Sequence, residues 1–486
     1  MTEHVKQKHL LSINRRRHAW SVSFDLDSVS PDGTREDLAR NMVANVAIGN
    51  SVVRNDFDRI SIFQRPIFNA TWDSATQRWV DFVAQGEPGF SFSPTEENRE
   101  VVYRCQPFWY RLEFEGLYGP KFVSVTDTPQ EGYKLAPIFK DGETYEYRPC
   151  FELGIGSDGK PHSRAGLIPY ESAPVQLMSK VRTYDGNAAR TETMAEWFSD
   201  YLLLLVEFGT RNLQGIMHGV AKGELMTTVN YNNNYHKKGI YADESGVFEA
   251  GKMYRITYTE NGIPASVDCK LLSISETKEE DFGYYLDFEM DDVESFVRQY
   301  KSFCLYEMPA KTGQALPLIT SASSGRAGED LYSPIVWRGK ENPWGNFSSF
   351  ICDVLFELPG EQGIFYPYKL SDVRNFDGTL NEGYTKYTYQ PQALLSSMRT
   401  YIASFTTANE ECFLIPAAFH QKNSQHYFAA CVAVYPFFAQ KGLRFLRVGG
   451  DYTTDIGISH AAYELFGEEE GTLAFGGRLI LQEAIS

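Results

Sequence analysis

The amino-acid sequence predicts an α+β fold with mixed and antiparallel sheets. Three observations lead to this class: short aromatic and β-branched runs along most of the chain, one long amphipathic helix, and one clear hairpin signal. Aromatic residues make up 14% of the 486 residues, a share that is typical of β-rich folds with large contact surfaces.

The first part of the chain indicates strands and turns. Trp20–Phe24 alternates with period two, and Ile60–Phe63 and Val101–Arg104 are further short β-like runs. Between them, Glu36–Val46 is predicted to form a short helix.

The N-terminal end carries positive charge that the rest of this acidic chain lacks. Its basic residues are Lys6, Lys8, Arg15, Arg16 and Arg17. A signal peptide is not expected, because Leu10–Ile13 is too short an apolar stretch and the arginines follow it. We expect residues 1–50 to be an N-terminal arm or attachment segment that meets an acidic partner; a disordered terminus is the open alternative.

The clearest helix begins near Thr193. Thr193 to Glu196 form a capping-box pattern. The apolar residues that follow recur at helical spacing: Met194, Trp197, Phe198, Tyr201, Leu202 and Leu205. Such a wide apolar face predicts a buried helix that organises the core.

Residues 220–330 are predicted to be an inserted β-rich unit. Lys252–Thr259 and Ala265–Ile274 flank Asn261-Gly262, the strongest short-range hairpin signal. Tyr284–Met290 adds a strand, and Asp291 to Glu294 are expected to open a short helix, since carboxylates favour a helix N-terminus.

Composition and motif searches exclude several function classes. The net charge of −17 disfavours binding to nucleic acid, and no apolar run is long enough for membrane insertion. The 7 cysteines form no C-x-x-C pair, so neither a disulfide framework nor a zinc site is expected, and synthesis in a reducing cytoplasm is. No P-loop, G-x-S-x-G or H-E-x-x-H motif occurs. We therefore predict no enzyme activity, no cofactor and no metal.

The C-terminal end has an unusual arrangement of glycines. Gly449-Gly450 and Gly476-Gly477 each adjoin an apolar strand-like segment, and glycine pairs mark sharp turns or close backbone approach. The first part of the intervening stretch is rich in Tyr, Thr, Asp, Ser and His, which suit a recognition surface. An ordinary polar loop closed by a terminal strand is the alternative.

Three segments together resemble a known group of proteins. Tyr201–Gln214, Trp337–Asn346 and the C-terminal run from Arg447 to Arg478 are similar to segments of phage and prophage tail-fibre or adhesin proteins. Those proteins have a C-type-lectin-like fold, related to the formylglycine-generating-enzyme fold. The resemblance implies a lectin-like core built from residues 51–219 and 331–486, with the β-rich unit inserted between them.

The resemblance also implies which residues matter. The ligand-binding residues would be Asp451, Tyr452, Thr453, Thr454, Asp455, Ile456, Ser459, His460 and Tyr463. The structural signature that supports them would be Trp337, Arg338, Glu341, Asn342, Trp344, Gly345, Gly449, Gly450, Gly477 and Arg478. Two departures mark a divergent member: Asp451-Tyr452-Thr453-Thr454 replaces the usual Trp and Asn residues after the glycine pair, and Phe347 follows the Trp-Gly-Asn turn where another Trp is usual.

The function implied is that of a virion protein, a tail-fibre or receptor-binding protein that binds a host surface protein or glycan. It would be made in the host cytoplasm, contact other virion proteins through the N-terminal arm, and form a homo-oligomer, a trimer by analogy. A capsid-decoration or baseplate component without ligand binding is the alternative. A divergent oxidase or glycan hydrolase ranks third, because the paired C-terminal cysteines of the oxidase relatives are missing.

Overall fold

The protein is mostly β with few helices. In the computed structural model the described residues are 18–26, 28, 30–115, 118–222, 225–229, 240–242, 246, 248–260, 263–276, 283–300, 302–320, 322–359, 366–387, 400–407, 412–420, 431–434, 441–452, 463–466 and 475–484. Strands take 40% and helices 13%, arranged as several antiparallel sheets and a curled half-barrel sheet. The predicted sheets are present, whereas the helical share is smaller than an α+β class implies.

The described residues contain four α-helices: α1 (Pro174–Val181), α2 (Met194–Phe208), α3 (Leu213–Ile216) and α4 (Val293–Gln299). Helix α2 confirms the predicted core helix, and the Glu196 carboxylate accepts from the Thr193 backbone N–H at 2.6 Å as a capping box requires. Gly209 ends it in the left-handed conformation, with φ of 65°. The short helix after Asp291 is also confirmed as α4, capped by Asp292, whose side chain accepts from Ser295 N at 2.9 Å.

Short strands dominate the first part of the chain. The first two of these strands form one end of the large sheet. The strands are β1 (Trp20–Ser23), β2 (Thr34–Asp37), β3 (Ala47–Ile48), β4 (Ile67–Asp73), β5 (Arg78–Ala84), β6 (Arg99–Cys105), β7 (Trp109–Glu115), β8 (Tyr118–Thr126), β9 (Lys134–Leu135), β10 (Glu146–Pro149), β11 (Gly154–Ile155), β12 (Pro161–His162) and β13 (Ala189–Arg190). Strand β1 pairs with β2 and β8. A free arm can therefore lie only within residues 1–17, which are outside the described residues.

Two local predictions in this part are wrong. Glu36–Val46 is not a helix: Glu36 belongs to β2, and Asp37 and Asn41 adopt left-handed φ values of 51° and 69°, which interrupt a right-handed helix. Ile60–Phe63 is not a strand, because 3₁₀ turns span Asp56–Arg59 and Ser61–Phe63. Further 3₁₀ turns lie at Gly186–Ala188 and Val373–Asn375.

The inserted unit contains a six-stranded antiparallel sheet with the order β14-β19-β16-β17-β18-β15. Its strands are β14 (Met226–Val229), β15 (Ile240–Ala242), β16 (Met253–Glu260), β17 (Ile263–Glu276), β18 (Tyr284–Phe288) and β19 (Ser302–Glu307). Strands β16 and β17 confirm the predicted hairpin, with Glu260 opposite Ile263; the turn residues Asn261 and Gly262 lie outside the described residues. The sheet has a hydrophobic core of its own, which includes Ile256, Leu271 and Leu305.

The remaining strands are β20 (Ser324–Arg326), β21 (Ile335–Trp337), β22 (Lys340–Glu341), β23 (Ser348–Leu358), β24 (Tyr366–Leu370), β25 (Tyr384–Lys386), β26 (Thr400–Thr407), β27 (Leu414–His420), β28 (Cys431–Val434), β29 (Gly442–Val448), β30 (Tyr463–Phe466), β31 (Phe475–Gly476) and β32 (Ile480–Leu481). All of them except β20, β21, β22 and β32 belong to a 14-stranded sheet that runs through the body. Its main path is β2-β1-β8-β26-β28-β30-β29-β23-β24-β25.

Three parallel pairs make the sheets mixed, as predicted: β3 with β20, β28 with β30, and β23 with β31. Smaller sheets have the orders β10-β6-β4-β5 and β22-β21-β20-β3, and two-stranded pairs join β11 to β12 and β13 to β32. Helix α2 packs against this framework, where Trp197 stacks on Tyr201 and both rings contact Phe405.

Two predictions from the composition, on the cysteines and on membrane-spanning segments, can be checked on the described part of the chain. Six cysteines are free thiols there, and all of them except Cys304 are buried. In the same residues, no helix combines the length and the apolar character needed to cross a membrane.

Candidate functional site

The predicted signature turn, Trp337–Asn346, is tied to the last turn of α2 by Glu207. The buried Glu207 carboxylate accepts from Trp337 Nε1 at 2.9 Å and from Arg338 Nε and Nη2 at 2.7 Å each. Asn55 Nδ2 donates to it at 2.8 Å. Burial alone would raise the pKa of Glu207, but the Arg338 guanidinium outweighs burial and holds this pKa below its usual range. The turn and the helix are therefore joined by buried, charge-assisted hydrogen bonds.

A second buried carboxylate, Glu152, holds the end of the same turn. It accepts from the side-chain amides of Asn342 at 3.0 Å and Asn346 at 2.6 Å, and from the Phe347 backbone N–H at 3.1 Å. Burial raises the pKa of Glu152 to about 7, although Arg478 and the two amides favour its charged form. Trp344 is anchored separately, since its Nε1 donates to the Met217 carbonyl at 2.8 Å.

Glu341 and Arg478 serve the backbone and not a ligand. The Glu341 carboxylate accepts from the backbone N–H groups of Gly313, Ala315 and Leu316 at 2.6, 3.0 and 2.7 Å. Arg478 donates to the carbonyls of Cys150 at 3.0 Å and Asn342 at 2.9 Å, and also to that of Glu341. Both side chains are buried, so they stabilise irregular chain segments that lack ladder partners.

The predicted glycines allow close backbone approach at the same place. Gly345 has a φ of 71° and donates its N–H to the Gly449 carbonyl at 3.0 Å. Gly449 and Gly450 have φ values of 93° and 65°, a region that side chains disfavour. The Gly477 carbonyl accepts from Leu153 N at 2.8 Å. The glycine pairs are thus turn and contact positions, as their spacing predicted.

The predicted ligand-binding segment is the connection of an antiparallel hairpin. Strands β29 and β30 pair with Val448 opposite Tyr463, so residues 449–462 link two strands of defined register. We call this stretch the display loop. Tyr463 is the first residue of β30 and also pairs with Val432 of β28. Thr453, Thr454, Asp455, Ile456, Ser459 and His460 lie outside the described residues.

The first two predicted contact residues are buried. Asp451 is fully buried and pairs with Arg447 Nη1 at 3.0 Å, and Ser348 Oγ donates to it at 3.3 Å. Tyr452 is 3% exposed, and its ring packs against Phe347 at a centroid distance of 5.5 Å. These two side chains therefore anchor the start of the display loop to the body.

A cleft of about 450 Å³ opens beside Tyr452, between the body and the inserted sheet. We call it the Tyr452 cleft. The body contributes Ile168, Lys222 and Tyr332 to its wall, and the inserted sheet contributes Met253 and Asp268. Ile168 and Met253 are 43% and 44% exposed, which is high for apolar side chains of this size. A concave, partly apolar site of this volume can hold a small ligand or one side chain of a larger one.

The charged residues around the Tyr452 cleft, apart from Lys311, are already paired. Arg255 binds Asp268 at 2.7 Å and Glu171 at 2.7 Å, and Lys222 bridges Glu307 at 2.9 Å and Asp330 at 3.3 Å. Burial raises the pKa of Glu171 to about 8, even though Arg255 opposes that shift. Burial also raises the pKa of the Tyr452 phenol, so this group is a neutral hydroxyl.

Sequence reasoning missed a buried ion network under β10 and β22. Arg65 binds Asp200 at 2.7 Å, and Arg148 binds Glu192 at 3.0 Å and Asp200 at 3.2 Å. Lys340 contacts Glu192 at 2.5 Å and Asp200 at 3.2 Å. Burial would raise the pKa of Glu192, but the neighbouring cations hold it at about 2. The members lie far apart in the sequence; Asp200 belongs to the predicted helix and Lys340 to the signature turn, but no sequence pattern links them.

The described residues offer little to catalysis. Within them, no group of three or more His, Cys, Asp or Glu side chains is placed to hold a metal ion. His162 is enclosed by carboxylates, with Nδ1 at 2.7 Å from Glu100 and Nε2 at 3.0 Å from Asp158. The adjacent Ser163 hydroxyl donates to the Val101 carbonyl at 3.1 Å, so it is not activated by the histidine. Cys412 is buried, and the side chain of Cys431 is outside the described residues.

Comparisons with known proteins give no assignment. No protein-family model matches the chain, and no curated protein is significantly similar to it.

Proposed function

We propose that the chain is a binding protein without catalytic activity, of the phage-type tail-fibre or receptor-binding class, with a C-type-lectin-like core. Its ligand would be a host surface protein or glycan, and its location the virion, after synthesis in the host cytoplasm. The observation that carries this proposal is the mounting of the display loop. Its two ends are held in register by β29 and β30, and its first residues are buried in the body.

This mounting suits recognition for a physical reason. Binding loops on a rigid scaffold lose less conformational entropy when they meet a ligand than loops with free ends do. Asp451 and Tyr452 would act by positioning, since both are buried. Contact would then come from Thr453, Thr454, Asp455, Ile456, Ser459 and His460, and the cleft that Tyr452 lines would accept one protruding group of the ligand.

Loop replacement tests the proposal. Residues 453–462 are replaced by a Gly-Ser linker of equal length, and the labelled protein is incubated with glycan arrays and a panel of bacterial cells. We expect the wild type to bind at least one target and the loop variant to bind none, with the melting temperature changed by no more than a few degrees. Equal binding by the two proteins would contradict the proposal.

The burial of Asp451 and Tyr452 gives the structural alternative its support. A capsid-decoration or baseplate component would need the C-terminal region only for packing against neighbouring subunits. Attachment to other virion proteins through residues 1–17 fits either candidate, as does a homo-oligomer. Deletion of residues 1–17 separates these roles: loss of particle attachment with retained target binding is expected if the segment is an anchor.

A further inference from the structure

A second cavity, of about 640 Å³, lies at the N-terminal end of α2. We call it the Glu146 cavity. Strand β5 contributes Trp79 to its wall, β10 contributes Glu146, α2 contributes Glu196, and the C-terminal residues contribute Glu483. It shares no lining residue with the Tyr452 cleft, and its volume is within the range of small-molecule sites.

Three acidic neighbours of Glu146 have partners, whereas neither Glu146 nor the exposed Asp141 has one among the described residues. Glu196 is paired with Arg190 through two contacts of 2.9 Å. Glu143 lies 3.7 Å from Lys140. Glu483 accepts from a backbone N–H at 3.0 Å. Glu146 lines the cavity and forms no hydrogen bond or ion pair with any residue that the structure describes.

The cavity wall carries more carboxylates than cations. Its charged side chains are Asp141, Glu143, Glu146, Glu196 and Glu483 against Arg78, Lys140 and Arg190, and Arg148 follows Glu146 by two residues in β10. Burial, and next the charge of Glu196, raise the pKa of Glu146 to about 8, while the charge of Arg190 opposes the shift. Glu146 is thus mostly neutral at pH 7 in the free protein, because burial outweighs the attraction of the nearby arginines.

An anionic ligand is disfavoured, although the N-terminus of a helix faces this region. Helix N-termini attract anions through unpaired backbone N–H groups. Here the Thr193 N–H donates to Glu196 at 2.6 Å and the Met194 N–H donates to Asp353 at 2.8 Å. These two carboxylates already occupy the positive end of α2.

Trp79 provides the second observation. Its side chain is 7% exposed and lines the cavity, and its Nε1–H is buried with no acceptor among the described residues. An unpaired buried donor costs about 1–3 kcal/mol. A small shift of the wall that lets a ligand oxygen reach this N–H would recover that free energy, so the site favours a molecule that carries an acceptor as well as a cation.

We propose that the Glu146 cavity binds a small amine that also carries a hydroxyl or carbonyl oxygen, with its ammonium group against the Glu146 carboxylate. Amino alcohols and amino sugars belong to this class. Binding ionises Glu146 and releases its proton to solvent, so that the complex is a charge-assisted pair. This site is separate from the display loop and does not depend on the function proposed above.

Isothermal titration calorimetry at pH 7 tests the proposal, with glucosamine and ethanolamine as probes and glucose as the neutral match. We expect both amines to bind the wild type and glucose not to. In Glu146→Gln, affinity for the amines should fall about tenfold to a hundredfold, the effect of losing a hydrogen bond to a charged group. Glu276→Gln, at an exposed residue of β17 outside the cavity, should bind as the wild type does.

Proton release distinguishes this mode from weak surface binding. Titrations of the wild type in phosphate and in MOPS, neither of which is a primary amine, should give different heats, corresponding to nearly one proton released per amine bound. This measurement does not require the Glu146→Gln variant to fold. Trp79→Phe should remove the preference for ethanolamine over ethylamine. Binding of glucose as strong as that of glucosamine, unchanged affinity in Glu146→Gln, or no binding of either amine at millimolar concentration would overturn the proposal.

Discussion

Two carboxylates near the ends of α2 are in opposite situations: Glu207 is buried, and Glu146 is partly exposed. At the C-terminal end, Glu207 accepts from Trp337, Arg338 and Asn55, and its pKa is held low. Near the N-terminal end, Glu146 faces a cavity without a partner among the described residues, and its pKa is raised to about 8. The sealed carboxylate organises the fold, and the open one is available to a ligand. The signature turn Trp337–Asn346, which is the most distinctive motif in the sequence, therefore stabilises the fold.

The largest expected effect is at the sealed end. Glu207→Gln removes the buried counter-ion of Arg338 and leaves only the partly exposed Asp58 carboxylate at 3.2 Å, and breaking a buried pair costs about 3–5 kcal/mol. Urea denaturation should give that decrease in the free energy of unfolding. Glu276→Gln, with an exposed carboxylate, should stay within about 0.5 kcal/mol of the wild type. If Glu207→Gln lowered the free energy of unfolding by less than about 1 kcal/mol, Glu207 would not be the fold-stabilising carboxylate that distinguishes it from Glu146.

The next effect tests the packing of the signature turn against residues 219 and 220. A Cβ at Gly345, where φ is 71°, would come within 3.0 Å of Val220 N. Gly345→Ala should therefore lower the free energy of unfolding by about 2–4 kcal/mol. Gly132 is the matched control, since its φ is 83° but nothing lies within 4 Å of an added Cβ. Gly132→Ala should cost about 1 kcal/mol, and equal losses in both variants would argue against a tight contact.

The raised pKa of Glu146 predicts that the free energy of unfolding depends on pH. The pKa of Glu146 rises from its ordinary 4.5 to about 8 on folding, so the native state binds more protons than the unfolded state between those values. This contribution to stability is complete below about pH 4.5 and is lost as pH rises through 8. Glu146→Gln should match the wild type near pH 5 and exceed it by about 1–3 kcal/mol at pH 8.5. Denaturation curves at both pH values check this. If Glu146 ionised normally, the difference in the free energy of unfolding between Glu146→Gln and the wild type would be the same at both.

The smallest effect is expected for removal of a single hydroxyl group, that of Tyr452 at the start of the display loop. The Tyr452 hydroxyl is buried without a well-formed hydrogen bond to the described residues, while its ring packs on Phe347 and Tyr306. Tyr452→Phe should change the free energy of unfolding by less than about 0.5 kcal/mol, and Tyr452→Ala should lower it by about 3–5 kcal/mol. Thermal and urea unfolding check both; a large loss in Tyr452→Phe would mean that the hydroxyl, and not the ring, holds the loop.

Sequence patterns predicted the elements whose cause is local. Helix α2 follows from its capping box and apolar period, and the β16–β17 hairpin follows from alternation around Asn261-Gly262. The wrong helix at Glu36–Val46 had a plausible composition, but the left-handed φ values of Asp37 and Asn41 depend on the β1–β2 pairing. Tertiary pairing overrode local preference there.

The candidate sites were only partly predictable, because their members are distant in the chain. The pairing of Glu207 with Arg338 joins residues 131 positions apart, and the Glu146 cavity combines β5, β10, α2 and the C-terminus. A single sequence carries no signal for such groupings. Burial of Asp451 and Tyr452 was likewise not evident, since a Tyr beside an Asp after a glycine pair has the composition of an exposed loop.

The central claim is that residues 453–462 form an outward-facing contact surface on a rigid body. Maleimide labelling of Ser459→Cys under native conditions tests it most directly, because the described cysteines other than Cys304 are buried and should react slowly. We predict that the free variant is labelled much faster than the wild type, and that its labelling slows once the protein is bound to its target cells. A rate no higher than that of the wild type would contradict it.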